Sequence, residues 1–381
     1  MGESTRPVGA ITRPVFALLV VTVLAAGCGG ATKPASELGR AAGSPGAGET
    51  ESAPAPASRG GRAKGLRPLP ADARRRSARL PLAERVGQLF VVGFEGRNLQ
   101  SRVFTELRGH GWGGIVIGPQ NTRGVSGFSQ FAGEAEVAAR GARRVPPLVA
   151  AVADGRPPRL GSSPAQARSR ARIAGKALAA AGVTLTTAPF IDVGIGADAG
   201  LIARIAPAAV QGWLKAGVMP APGHFPGQGS ASQDPLAGPS TVALPRRDLA
   251  ARDLPAFRRA LGRAPAVTVS SAAFAAYDPV TPAALVPTIV RDLLRDKLRF
   301  GGVAMTDDLS AIVTATGGTP EEAAVAALKA GIDLVYVPDP ALRERVYNAV
   351  LAAARSGRLP ASRVRDAVAH VLELKRRAKV L

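Results

Sequence analysis

Two adjacent carboxylates, Asp307 and Asp308, close the apolar run Gly302-Val303-Ala304-Met305-Thr306. Like charges side by side cost electrostatic energy unless they have partners or a task. Successive side chains of a strand point to opposite faces, so one carboxylate can look into a site while the other is braced outside it. Asp308 stands where a carboxylate caps a following helix, and we read it so; Asp307 takes the functional reading. Two further polar clusters follow apolar runs. Gly223-His224-Phe225-Pro226-Gly227-Gln228-Gly229 leads into a loop from Ser230 to Leu236. A histidine there could bind a sugar hydroxyl or could be a satisfied core histidine. Asp154-Gly155-Arg156 offers Arg156 as a ligand for a polar or anionic group, or as one of many surface arginines.

The elements that must position these groups alternate regularly. Short β-like apolar runs are predicted at 89–94, 114–118, 148–153, 183–191, 218–225, 266–274, 302–306 and 332–337. Each is followed by a stretch of helical period, and a last helix is predicted over 362–378. Eight strand–helix units in about 300 residues fit one closed (β/α)8 TIM-type barrel, whose active site lies at the C-terminal ends of the strands. An open doubly wound sheet would be expected to carry a Gly-rich phosphate turn after an early strand, and no G-x-G-x-x-G follows the first.

The barrel is expected to fill 82–381, with two different segments before it. Residues 1–28 join a basic start at Arg6 and Arg13 to an apolar run and then Leu24-Ala25-Ala26-Gly27-Cys28. This is a secretory signal, too short for a comfortable membrane-spanning helix. Its end resembles a bacterial lipobox, with lipidation of Cys28 as the implied outcome and a plain cleaved signal as the alternative. Residues 29–80, rich in Gly, Ala, Ser, Pro and Arg, read as a disordered tether. The single cysteine excludes an intrachain disulfide. The expected location is the outer face of the cell membrane, through a lipid anchor. With 49 Lys+Arg against 28 Asp+Glu, the net charge is +21. Such a charge attracts polyanions. There is no aromatic-interleaved basic patch, zinc-ligand spacing or recognition helix, so nucleic acid is not an expected partner. A solvated basic surface, anionic lipid and wall polymer remain.

Gly87-Gln-Leu-Phe-Val-Val-Gly-Phe94, His224-Phe-Pro-Gly227, Tyr277-Asp-Pro279 and Gly301-Gly-Val-Ala-Met-Thr-Asp-Asp308, in this order and spacing, resemble glycoside hydrolase family 3. The closer resemblance is to its bacterial single-domain β-N-acetylglucosaminidases of cell-wall recycling. It covers about 82–381 and implies a barrel, retaining hydrolysis of terminal β-linked N-acetylhexosamine and no metal or organic cofactor. Asp307 matches the family's nucleophile, which forms a glycosyl-enzyme. The family's proton donor is a histidine on the loop after strand five, paired with an aspartate two residues earlier.

The chain departs from the family at that loop. The pattern Lys-His-Phe-Pro-Gly-His-Gly, then Asp-Ser-His, reads here with Gly223 for Lys, Gln228 for the second His and Asp234-Pro235-Leu236 at the end. Asp234 keeps the dyad carboxylate, but its partner is Leu236, which cannot move a proton. At strand three, Ala151 replaces a sugar-binding aspartate while Arg156 is kept. After strand four, Arg-Ser-Phe-Gly is reduced to Ala203-Arg204-Ile205-Ala206, with Arg204 in the arginine's place. The only other histidines are His110 and His370, expected at the barrel floor and in the last helix. Asp307 and Asp234 are therefore the catalytic candidates, and His224, Arg156 and Arg204 the substrate ligands, in a monomer that binds wall glycan. The alternatives are a catalytically impaired barrel that still binds glycan, or a structural or interaction protein of the envelope.

Overall fold

The computed structural model describes residues 69–118, 120–122, 125–152 and 160–381. The signal segment with Cys28, the tether to residue 68, and Arg156 lie outside the described residues. Eight short parallel strands form the central sheet: β1 (Phe90–Val92), β2 (Gly114–Val116), β3 (Leu148–Ala151), β4 (Leu185–Thr186), β5 (Met219–Pro220), β6 (Ala266–Val269), β7 (Val303–Asp308) and β8 (Leu334–Val337). Their order is β5-β4-β3-β2-β1-β8-β7-β6. The two ends of the sheet meet: Phe225 N donates to Thr268 O at 2.8 Å, Thr268 N to Pro222 O at 3.1 Å and Ser270 N to Phe225 O at 2.8 Å. The sheet is thus closed into the expected (β/α)8 barrel.

Strand alternation builds two cores. Val91, Val116, Leu148, Leu185, Met219, Val303, Met305, Leu334 and Tyr336 fill the interior. Phe90, Val92, Ile115, Val149, Val267 and Ala304 face the surrounding helices. The C-terminal helix, Ala361–Arg377, adds Val371 and Leu374 to the interior cluster and so plugs the floor of the barrel. On β7 the inward positions 303 and 305 lead on to 307, which sends Asp307 toward the mouth.

Three expectations need correction. Residues 71–79, assigned by composition to the tether, form a helix (Ala71–Arg79). Its one seat on the domain is made of small residues, buried Ala73 and Ser77 one turn apart, and Ser77 Oγ donates to Arg365 O at 2.6 Å. An arginine-rich stretch held by Ala and Ser shows no apolar period. The runs at 183–191 and 218–225 shrink to two-residue ladders, because Pro189, Pro220 and Pro222 bring no N–H to the ladder. The run at 266–274 splits at Ser270-Ser271. Its end, Ala273–Phe274, joins Thr241–Val242 and Asp278–Pro282 in a small separate sheet. That sheet braces the loop after β5, where Ser232 N donates to Thr241 O at 3.0 Å.

Candidate active site

At the C-terminal mouth, three side chains from three strand ends stand in a row. Asp192 follows β4, His224 follows β5 and Asp307 ends β7. His224 Nδ1 lies 2.8 Å from Asp192 Oδ2, and His224 Nε2 lies 3.7 Å from Asp307 Oδ2. The three are mostly shielded, with side-chain exposures of 16 %, 14 % and 25 % in that order. Backbone holds the row. Ile191 N donates to Gly223 O at 2.7 Å and Phe225 is tied to β6, so the residues flanking His224 are fixed on both sides. The Asp192 carboxylate also accepts the His224 backbone N–H at 3.0 Å and the Gln228 N–H at 2.7 Å. The Phe190 ring covers the imidazole at 4.5 Å between centroids.

This environment decides the charge of His224. Burial alone would depress its pKa. Asp192, then Asp307 and, more weakly, Asp234 outweigh that and lift it from 6.5 to about 9. His224 is thus an imidazolium at neutral pH, clamped by one carboxylate and aimed at another. A retaining glycosidase places its acid and its nucleophile about 5–5.5 Å apart, leaving room for the glycosidic bond. At 3.7 Å, His224 stands too near Asp307 to fill the acid's place. Its geometry suits holding Asp307 and meeting a sugar hydroxyl.

Asp308 does what the sequence predicts: its Oδ1 accepts Ser310 N at 2.7 Å and caps the helix Leu309–Thr316. Burial raises its pKa above the ordinary carboxylate value, with the Ser310 N–H opposing and Asp307 adding to the rise. Tyr336 on β8 is likewise raised by burial, then by Asp308 and Asp307, and remains a neutral phenol beside the two carboxylates.

The other candidates are less concentrated. Asp234 is exposed on the loop after β5, where its Oδ1 accepts Leu236 N at 2.9 Å. It is near enough for its charge to reach His224. Leu236, at the family's proton-donor position, is 57 % exposed. Gln228 turns its backbone to Asp192 and its amide oxygen to the Ser270 hydroxyl at 2.5 Å, so it supports the loop. A side chain on Gly223 would place its Cβ 3.0 Å from Thr268 Cβ, so the lysine of the family pattern has little room here. Arg204 lies on the helix Ala199–Ala216 and lines a lateral recess with Arg252 and Arg259. Among the described residues, no hydrogen bond or ion pair joins it to Asp192, His224 or Asp307. The two other histidines are far from the row. His110 Nε2 meets Glu344 at 2.8 Å beside Trp112 and Tyr347, and His370 Nδ1 meets Gly301 O, just before β7, at 3.1 Å.

Asp192 is the residue that sequence reasoning missed. It is a lone carboxylate directly after the fourth predicted strand, without the adjacent second carboxylate that marked Asp307. Among the described residues, one group could gather a metal: Asp333, Asp366 and His370, with ligand atoms within 4.8 Å of one another. Both oxygens of Asp333 already face Arg295 and Arg363, so the set is an ion-pair network in the floor.

Comparison with known proteins places the chain in a family. Residues 81–374 match the family model for the glycosyl hydrolase family 3 N terminal domain. A β-hexosaminidase of Idiomarina loihiensis is 30 % identical over 173 residues, covering 42 % of this chain and 51 % of the relative. One from Alkalilimnicola ehrlichii is 28 % identical over 289 residues, covering 65 % of this chain and 79 % of the relative. The match thus spans about half of the first relative and more of the second. A solved glycoside hydrolase family 3 β-N-acetylglucosaminidase from Paenibacillus sp. superposes with a TM-score of 0.74 at 29 % identity, over 79 % of this chain and 63 % of that one. A barrel with its carboxylate on β7, its histidine after β5 and this matched span belongs to glycosyl hydrolase family 3, as its N terminal domain.

Proposed function

We propose that the protein is a glycosidase of the β-N-acetylhexosaminidase type, acting on terminal β-linked N-acetylhexosamine of cell-wall glycan with Asp307 as nucleophile. The observation that carries this reading is the Asp192–His224–Asp307 row at the mouth of a family 3 barrel. In the first step an Asp307 oxygen bonds to the anomeric carbon and the glycosidic C–O bond breaks, releasing the aglycone oxygen, which must take a proton. In the second, water cleaves the glycosyl–Asp307 bond and restores the carboxylate. His224 holds Asp307 and a sugar hydroxyl. Asp234 is the carboxyl on hand to serve as acid and base, without the histidine partner that the family pattern places at Leu236.

A second reading, a barrel that binds glycan with little turnover, is favoured by Leu236 itself. Loss of a general acid costs about 10²–10⁴ in rate, and the cost is smallest when the leaving group needs no proton. The test compares an aryl β-N-acetylglucosaminide bearing a good leaving group with chitobiose. Turnover of the aryl glycoside that disappears in Asp307→Ala supports the hydrolase. Binding of both ligands in calorimetry without turnover supports the second reading. Turnover that persists in Asp307→Ala removes the nucleophile assignment.

The same proposal includes export, a lipid anchor at Cys28 and a monomeric body. The Leu24–Cys28 sequence supports the anchor. Mass spectrometry of the mature N-terminus tests it: a diacylated Cys28 is expected, and an unmodified N-terminus lacking Cys28 ends the idea. Light scattering of the detergent-solubilised protein tests the monomer.

A further inference from the structure

A second concentration of charge lies beside the mouth. Arg204 on the helix Ala199–Ala216, Arg259 on the helix Leu254–Leu261, and Arg252 just before the latter line one recess of about 250 Å³. The rest of its wall is alanine, glycine and proline, so no carboxylate lines it. Arg252 is engaged through two of its nitrogens: Nε on Asp253 Oδ2 at 2.9 Å, Nη2 on Val193 O at 3.1 Å and on Ser230 Oγ at 2.9 Å. Arg204 and Arg259 make no hydrogen bond or ion pair among the described residues. Asp198, which caps the same helix as Arg204, has its Oδ1 committed to Leu201 N at 2.9 Å.

With Arg252 paired to Asp253, the exposed guanidinium groups of Arg204 and Arg259 are the two uncompensated charges around this small space, and they repel one another. A compact oxyanion relieves that repulsion and meets free planar forks, which bind carboxylate or phosphate in pairs of parallel hydrogen bonds. The alanine and glycine walls leave the space open. Val193 and Ser230, which Arg252 holds, are neighbours in sequence of Asp192 and Gly229. Arg252 thus ties one wall of the recess to the two loops that build the active site.

We propose that this recess is an oxyanion-binding site, and that the oxyanion is a carboxylate or phosphate carried by the glycan. Binding of the oxyanion stands independently of turnover; the glycan as its bearer rests on the hexosaminidase reading above. The first experiment titrates the full-length protein, in detergent micelles, with inorganic phosphate. Wild type is expected to bind one phosphate saturably. Arg204→Gln/Arg259→Gln, which keeps part of each stem, is expected to bind it about tenfold or more weakly. Arg258→Ala, on the same helix but outside the recess, should match wild type. Circular dichroism verifies that each variant is folded. No saturable phosphate binding by wild type, or equal binding by all three proteins, overturns the site.

The second experiment uses Asp307→Asn to suppress turnover, with and without the double arginine change. Its ligands are N-acetylglucosaminyl-N-acetylmuramic acid and the methyl ester of the same disaccharide. The acid is expected to lose affinity on arginine replacement while the ester does not, which assigns the oxyanion to the glycan. Equal losses, or none, overturn that assignment and leave free phosphate as the ligand. Because binding is read without hydrolysis, a failure here is distinct from a failure of the proposed activity.

Discussion

Replacing Leu236 by histidine should restore the missing half of the proton donor. The structure makes this exchange inexpensive. Leu236 is 57 % exposed, so its removal gives up little burial, and the stability change should stay within about 1 kcal/mol. The partner is in place, since Asp234 already turns one carboxylate oxygen to the backbone N–H of residue 236 at 2.9 Å. The other oxygen is free to accept an imidazole N–H. A positioned general acid contributes about 10²–10⁴ in rate, or about 3–5 kcal/mol of barrier. That gain should fall on substrates whose leaving oxygen must be protonated. The assay measures kcat/KM for chitobiose and for an activated aryl β-N-acetylglucosaminide, in wild type, Leu236→His and Leu236→His/Asp234→Asn. We expect chitobiose hydrolysis to rise by about two orders of magnitude, the aryl glycoside to rise much less, and the added Asp234→Asn change to remove most of the gain. Equal gains on both substrates, or no gain on either, would refute the argument that the site lacks only its acid.

Other outcomes follow from the charged row. His224 has a folded pKa of about 9 against 6.5 when exposed. Its contribution, on the order of 3 kcal/mol, is complete below pH 6.5 and is lost as pH rises through 9. Urea unfolding at pH 6 and pH 10 should therefore show wild type losing more stability than His224→Gln, and equal losses would show that the imidazolium is not held. Asp192→Asn removes the strongest force holding that proton. The His224 ring should then titrate at lower pH by NMR, and the alkaline limb of the pH–rate profile should move to lower pH with it.

The barrel and half of its site can be read from residue patterns. Apolar runs ending in polar residues mark the strand ends, and the alternation Val303, Met305, Asp307 places the carboxylate inside, with Asp308 left to cap a helix. Asp192 escaped notice because its role exists only where the loops after β4 and β5 meet. No spacing in the chain announces that contact between residues 32 apart. Arg204 was misleading for the converse reason. A residue matched to a shortened segment kept its identity while the backbone carried it to a helix flank. The helix at Ala71–Arg79 was hidden by composition, since two small residues suffice to seat it.

The central claim is that Asp307 attacks the anomeric carbon. It is tested most directly with a fluorinated N-acetylglucosaminyl fluoride that slows hydrolysis of the glycosyl-enzyme. Fluoride leaves with little help from a proton, so the trap forms even where the acid is gone. Peptide mass spectrometry of the inactivated protein should find one sugar, on Asp307, and none on Asp307→Asn. A sugar on another residue, or turnover of an aryl glycoside with no trapped species, would contradict the account.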